Sequence, residues 1–405
     1  MRQIYNVGIY FFSFIIKVHS IFSSKSKKLI KGHREAIYQL TNDSQEEYVW
    51  VHAASLGEFE QGKSIIESIC ASYPEQKILL TFFSPSGFEI RKNYQFASKV
   101  IYLPFDTRAN AKLFVRHLKI KLAVFIKYEF WFNYLEHLEK NQIPIFYIST
   151  SFRKNHFFFK STWMMKIIKN VNHIFVQSEK SKEIGESNGL HNITVTGDTR
   201  LDTALRNAQE NFHCDQIEKG LDGRKVIVLG SAWEGDYTLL ANFIKKWSNK
   251  FQFIVAPHEV DSEQVNSFVT SLSISVSWLS RGEQLKDILI VDTIGSLKYL
   301  YRYADVVIIG GGYNHGIHNT LEPLVYGVPI LFGPKNYDRF PEAVYIHNHK
   351  MGGVATEKEF SDLLEYFLNN EKTPIEVQLK AASYVKEHRG ATEKIMSKLK
   401  IQLES

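Results

Sequence analysis

At 405 residues the chain exceeds one ordinary core and suits two domains of moderate size, and its 44% apolar content excludes wholesale disorder. The formal charge of +6 lies entirely within residues 1–35, where Arg2, Lys17, Lys25, Lys27, Lys28, Lys31 and Arg34 stand against Glu35 alone. The neutral body argues against a nucleic-acid partner, and Cys70 and Cys214, far apart and without metal-site spacing, indicate a reducing compartment with no structural disulfide or zinc.

The amino terminus opens on an apolar run, Ile4 to Ile16, too short for a comfortable bilayer crossing even when extended to Phe22. Its charges follow the run and no small-residue cleavage site is present, which argues against a secretory signal. Lysines behind such a run attract anionic lipid and hold the remainder on the cytoplasmic side. Residues 1–30 are therefore expected to form a membrane-associated helix, monotopic or a single anchor; a buried amino-terminal helix is the alternative.

From residue 48 onward, short β-rich runs alternate with amphipathic stretches, the pattern of an α/β protein with parallel sheets. Strands are expected at 48–52, 77–82, 99–102, 122–126, 145–148, 173–176 and 193–195. Around 207–224 the sequence turns polar and loses periodicity, which places a linker there. Strands resume at 225–229, 251–256, 288–291, 306–309 and 329–332. Two similar α/β halves imply a cleft between them. The segment from about 377 to 403 reads as helix able to pack back on the first half.

Ligands in open α/β sheets bind beyond the carboxyl ends of the strands, so the residues after each strand carry the functional reading. After the first, Trp50-Val51-His52-Ala53-Ala54-Ser55-Leu56-Gly57-Glu58 delivers a carboxylate into an opening helix through small residues. Ser55 and Glu58 have the spacing of a capping box. A first-turn glutamate held ionised by the helix dipole also suits a general base, and the two roles are compatible. Ser84-Pro85-Ser86-Gly87 follows the second strand, either an anion-holding turn or a plain one. Tyr128-Glu129-Phe130-Trp131 sets a carboxylate among aromatics that face a sugar or cover the core.

In the second half, Gly230-Ser231-Ala232-Trp233-Glu234-Gly235-Asp236 leaves a strand into a helix start suited to phosphate on backbone amides, without the Lys-Ser/Thr of a Walker loop. Pro257-His258-Glu259 follows the next strand, where a surface histidine is the plain reading. The densest stretch is Gly310-Gly311-Gly312-Tyr313-Asn314-His315-Gly316-Ile317-His318-Asn319-Thr320-Leu321-Glu322-Pro323, with Asn319 or Thr320 as a helix cap and Glu322 placed to accept from ribose hydroxyls.

Together these segments resemble the 3-deoxy-D-manno-octulosonic acid (Kdo) transferases of lipopolysaccharide core synthesis over nearly the whole chain. The family's W-V-H-A-S-S-x-G-E is similar to Trp50–Glu58, T-P-T-G to Ser84–Gly87, E-L-W-P-N to Glu129–Asn133, and V-T-G-x-x-K-F-D to Val195–Asp202. Farther on, G-S-T is similar to Gly230–Ala232, D-T-M-G-E to Asp292–Ser296 and G-G-H-N-P-L-E to Gly316–Glu322. The resemblance implies a GT-B fold, two Rossmann-like domains facing a central cleft, with the acceptor handled by the first and the nucleotide by the second. It implies an inverting transfer of Kdo from CMP-Kdo to a lipid A precursor (lipid IV-A) at the cytoplasmic face of the inner membrane, with no cofactor and no metal. Glu58 would be the general base, and Glu129 and Arg200 would steady the transition state. Ser55, Gly57, Ser84, Ser86 and Gly87 would line the substrate side. Ser231, Pro257, His258, Ile294, Gly295, Ser296, Asn319, Thr320, Leu321 and Glu322 would contact CMP.

The chain departs from the family's pattern at Lys127 (often an acid), Phe132 (a proline), Arg200 (a lysine), His258 (an arginine), Ser296 (an acid) and Thr320 (a proline). His258, neutral at pH 7, would hold CMP less tightly than an arginine. The expected domains are 1–30, 31–206, a linker 207–224, 225–376, and 377–405 as a carboxy-terminal helix on the first domain. Competing readings are a GT-B enzyme acting on a UDP-sugar and a membrane scaffold without activity.

Overall fold

A computed structural model describes residues 1–41, 46–260, 263–272, 274–370 and 372–404. It divides into two units, Met1–Asp202 with Arg389–Ser405, and Thr203–His388.

The first unit opens with helices α1 (Arg2–His19) and α2 (Ser24–Thr41). The alternation that follows is β1 (Glu47–Ala53), α3 (Leu56–Ser72), β2 (Lys77–Phe82), α4 (Pro85–Arg91), β3 (Lys99–Tyr102), α5 (Arg108–His117), β4 (Lys119–Ile126), α6 (Phe132–Lys140) and β5 (Ile145–Thr150). It continues through α7 (Thr162–Lys169), β6 (His173–Val176), α8 (Glu179–Ser187), β7 (Ile193–Val195) and α9 (Thr199–Gln209). All seven strands pair in parallel, in the order β3-β2-β1-β4-β5-β6-β7. Helices cover both faces, which is why central strands such as β1 and β4 read as near-continuous apolar runs. The strand order reverses between β1 and β4, and this reversal is where such sheets open a crevice at their carboxyl edge.

The second unit repeats the plan: α10 (Asp215–Glu218), β8 (Lys225–Ala232), α11 (Glu234–Trp247), β9 (Phe251–Pro257), α12 (Glu263–Leu272), β10 (Val276–Trp278), β11 (Ile288–Ile290), α13 (Leu297–Leu300) and β12 (Val306–Ile309). Then come α14 (Leu321–Leu324), β13 (Ile330–Phe332), α15 (Pro341–Asn348), β14 (Gly352–Val354), α16 (Phe360–Asn369) and α17 (Thr373–His388). Its parallel sheet runs β10-β11-β9-β8-β12-β13-β14, reversing between β8 and β12. The strands expected from the sequence are all present; β4 and β8 run three residues longer than expected, and β11 and β13 one residue shorter. The unexpected β10 and β14 are three-residue edges, and Gly352-Gly353 gives β14 no apolar signature to read.

The carboxy-terminal helical stretch is two helices, not one. Gly390 adopts φ +91°, a left-handed conformation that stops α17 and starts α18 (Ala391–Leu403) in a new direction. Asp202 caps the new start, accepting from the amides of Gly390 (2.7 Å) and Thr392 (2.6 Å). From there α18 lies against α3 and β4, with Ile395, Leu399 and Leu403 buried in the first unit's core.

The two amino-terminal helices are built differently. α2 is integral to the first unit: Leu29, His33, Ala36 and Leu40 are buried, and the helix runs straight through the boundary expected at residue 30. α1 docks along one face only. Tyr5 donates its hydroxyl to the buried Asp106, which also caps α6 by accepting from the amides of Asn133 (3.1 Å) and Tyr134 (3.0 Å). Asn6 accepts from the Asn133 side chain at 2.9 Å, and Arg2 pairs with Glu136. The opposite face leaves Ile4 (70% exposed), Val7, Phe11 (63%) and Phe14 in solvent. No helix among the described residues is long and apolar enough to cross a membrane.

Because Asp106 is fully buried, losing one donor to it is costly. Tyr5→Phe is expected to lower stability by about 1–3 kcal/mol in urea denaturation. An unchanged midpoint would mean that α1 does not dock through this bond.

Candidate active site

In the first unit the residues singled out from sequence gather beyond β1, β2, β4 and β7. Glu58 sits in the first turn of α3, 8% exposed, and its Oε2 accepts from the Ala54 amide at 2.7 Å. Ser55 is the helix N-cap residue but makes no side-chain cap bond, so only the glutamate half of the expected capping box forms. The helix start therefore fixes the carboxylate, and the serine hydroxyl is not spent on holding the helix. Gly57 has open space where a Cβ would be.

Ser84 joins this edge through its amide, which donates to Ala54 O at 2.9 Å, and its hydroxyl meets that of Ser86 at 2.7 Å. Gly87 has a packing reason instead: the Phe82 ring fills the place of a side chain. Glu129, three residues past the end of β4, is fixed through its carbonyl, which accepts from the Tyr147 hydroxyl (3.1 Å). Trp131 is held by β1 itself, its indole N–H donating to His52 Nε2 at 3.0 Å. An indole nitrogen can only donate, so the His52 proton lies on Nδ1, directed at Thr81 Oγ1 at 2.8 Å. Burial pushes His52 down to about 3 and keeps it neutral.

The two glutamates act on each other. Burial raises Glu58, opposed by the Lys127 charge and by the amides of Ala54 and Ser55. Burial, and then the Glu58 charge, push Glu129 up to about 8, again opposed by Lys127. Two buried carboxylates that repel each other do not ionise independently, so the pair titrates as a unit, with Lys127 favouring its charged forms. Arg200, at the start of α9, is gripped by Asp198, with Nη2 to Oδ2 at 2.6 Å and Nε to both oxygens. The neighbouring Thr199 hydroxyl ties that turn to the Gln61 carbonyl on α3.

In the second unit Ser231 lies at the end of β8 with φ +56°, strained for a residue with a side chain. Asp236, in the first turn of α11, accepts from the amides of Trp233 and Gly311, both at 2.8 Å, and so ties the loop after β8 to the one after β12. Two of the amides expected to meet phosphate are thereby already engaged. Gly310 must be glycine because Ser231 O and Asp236 crowd the place of its Cβ.

Sequence reading passed over Trp233, which organises the histidines. Its ring stacks on His258 (4.3 Å between centroids) and lies 4.0 Å from His315, and its indole N–H donates to His318 Nε2 at 2.7 Å. Burial holds His258 below its ordinary value and pushes His318 down to about 4, so both are neutral at pH 7. The available signal was an aromatic residue directly after Gly230-Ser231-Ala232. Asn319 caps α14 through Oδ1, which accepts from Leu321 N at 3.1 Å; Thr320, buried, makes no such cap. Pro257, buried, closes β9 just before His258. Ile294 is 86% exposed and Gly295 adopts φ +89°, beside Ser296, whose hydroxyl meets that of Thr293.

Two Rossmann-like units with loops gathered at their carboxyl edges have the plan of the GT-B fold. Solved structures of that plan match it: a glycosyltransferase from Rickettsia africae, 12% identical, covers 89% of this chain and 99% of its own with a TM-score of 0.55. A UDP-N-acetylglucosamine 2-epimerase, so described putatively, from Listeria monocytogenes matches at 13% identity, 87% and 95% coverage and 0.58. At such identity the likeness is one of fold. Sequence is more specific: residues 31–203 match the family model described as 3-Deoxy-D-manno-octulosonic-acid transferase (kdotransferase). A 3-deoxy-D-manno-octulosonic acid transferase of Chlamydia trachomatis serovar A is 24% identical over 371 residues, 88% of this chain and 86% of that protein. A bifunctional glycosyltransferase/methyltransferase of Fusobacterium nucleatum is 26% identical over 85% of this chain, which spans 56% of that longer protein. The chain is a relative of the Kdo transferases.

The Trp233 bond makes a spectroscopic prediction. Imidazole nitrogen shifts at pH 7 should place the His318 proton on Nδ1, and Trp233→Phe should let both tautomers populate. A His318 that carries its proton on Nε2 in the unmodified protein would contradict the bond.

Proposed function

We propose that the protein is an inverting glycosyltransferase that moves Kdo from CMP-Kdo to a lipid A precursor. The observation that carries this reading is the Kdo-transferase family match over a first unit whose buried Glu58 is aimed and fixed by main-chain amides. In the reaction, the acceptor hydroxyl oxygen attacks the anomeric carbon and its proton passes to Glu58. The bond from that carbon to the phosphate oxygen breaks, and CMP leaves with the electron pair. Glu129, carrying a proton, donates a hydrogen bond to developing negative charge. Arg200, oriented by Asp198, adds positive charge. In the second unit Ser231 and the free amides of the neighbouring loops hold phosphate, while Pro257, His258, Ile294–Ser296 and Asn319–Glu322 contact the nucleotide. Neutral His258 offers hydrogen bonding and stacking there in place of charge.

The acceptor is a lipid, and α1 fits that requirement. Its polar face is occupied by the first unit and its outward face carries Ile4, Val7, Phe11 and Phe14, followed by the lysines at 25, 27, 28 and 31. A helix of this kind lies in an anionic interface, which here would be the cytoplasmic face of the inner membrane.

Mass analysis of tetraacylated lipid A precursor incubated with CMP-Kdo should show addition of Kdo, with no transfer from UDP-sugars. The reverse donor preference would replace this reading with the UDP-sugar one, and no transfer from either donor would favour a scaffold. Glu58→Gln should stay folded and lower turnover by roughly 10²–10⁴-fold. Since burial raises Glu58, turnover should fall as pH drops through a limb above the ordinary glutamate range. Separately, Ile4→Glu with Phe11→Glu should weaken flotation with anionic vesicles while transfer to detergent-dispersed acceptor persists. Undiminished flotation would remove α1 as the membrane contact.

A further inference from the structure

Lys127 is the residue at this edge to which the resemblance gives no role, and the backbone has been bent to put it there. It follows β4 with φ +63°, the left-handed region, where a side chain costs on the order of 1–2 kcal/mol and glycine would be at ease. Two bonds to β5 hold it in that state: its amide donates to Ile148 O at 2.9 Å, and its carbonyl accepts from the Thr150 hydroxyl at 2.8 Å. Strain kept at a strand end beside reacting groups is a reason to look for function.

The register says what Lys127 stands beside. β1 and β4 pair in parallel with His52 opposite Phe125. Lys127 is the first residue after β4 and Ala54 the first after β1, so the two leave the sheet from neighbouring strand ends, and the Ala54 amide holds the Glu58 carboxylate. Glu129 follows two residues later. Two carboxylates and one ammonium thus share the place where the sheet order reverses.

Other charges near Glu58 are committed elsewhere. Glu60, on the same helix, pairs with Arg91 of α4 at 2.9 Å; Lys63 lies 3.7 Å from Glu67; Arg200 of α9 is bound by Asp198. From β1, His52 is buried and neutral, and from β5, Tyr147 meets Glu129 through its hydroxyl. Among the described residues, Lys127 is the lysine whose charge opposes the upward shift of both glutamates.

We propose that Lys127 is a positioning residue for the transfer reaction: held at the end of the strand beside the one that leads to Glu58, its ammonium supports the Glu58 carboxylate as acceptor of the incoming proton. The assignment rests on Glu58 acting as base. With the cation removed, the ionised form of Glu58 loses its stabilisation and the base stays protonated to higher pH. The loss is therefore greatest at low pH and recovered at high pH.

Lys127→Gly separates this role from a structural one, because glycine removes the charge and suits φ +63°. This variant should unfold at or above the wild-type temperature. Its turnover at pH 6 should nonetheless fall by about tenfold, with the loss shrinking to within about twofold at pH 9. Lys127→Arg should restore the wild-type limb. A loss that is equal at all pH values, or a higher CMP-Kdo KM with an unmoved limb, would overturn the proposal; the second result would make Lys127 a donor contact.

Titration of the Glu58 carboxyl by carbon NMR, in the protein without substrate, reads the same effect independently of the reaction. In Lys127→Gly that carboxyl should titrate at higher pH than in wild type. Coincident curves would sink the role of Lys127, whereas failure of wild type to transfer Kdo would bear only on the proposed substrate.

Discussion

Every strand in both units runs parallel to its neighbours, and the features of functional interest follow from that constraint. Parallel strands need crossovers, crossovers put helices on both faces, and all loops leaving the strands collect at one edge. Where the strand order reverses, the crossovers diverge and the edge stays open. In the first unit the reversal lies between β1 and β4, and Glu58 and Glu129 are the carboxylates that follow those two strands. In the second it lies between β8 and β12, followed by the Ser231–Asp236 and Gly310–Glu322 loops.

The two edges also share a departure from regular backbone. Lys127 directly follows β4 and Ser231 is the penultimate residue of β8, both at positive φ. Such conformations survive only where surrounding bonds over-determine them. For Lys127 the bonds come from β5; at Ser231 the carbonyl lies where a side chain on Gly310 would be. In each unit one such residue lies at the end of a strand flanking the reversal, where loop direction decides what a ligand meets; in the first unit Ser149 of β5 (φ +53°) is another.

Charge is handled differently at the two edges. The first unit places buried carboxylates beside a lysine, so the protonation of each depends on the others. The second surrounds Trp233 with histidines, of which burial keeps His258 and His318 neutral, and its acidic group, Asp236, is turned onto main-chain amides. Proton transfer suits the first arrangement. Holding an already charged, non-titrating ligand by stacking and hydrogen bonds suits the second.

Much of this was legible in the sequence because it is local. Alternating apolar runs located the strands, small residues after β1 and β8 marked the turns, and Glu58 and Glu129 stood where a parallel sheet would expose them. An apolar run with trailing lysines likewise announced α1, but its docking through Tyr5 to Asp106 joins residues a hundred positions apart and has no local pattern. The same holds for the break at Gly390 secured by Asp202, and for the Trp233–His318 bond. Periodicity and turn chemistry are properties of neighbours along the chain, so the sequence by itself determined the elements and the residues at their ends. Burial, tautomer and the coupling between two glutamates depend on which distant groups are brought together, and only the tertiary structure decided those.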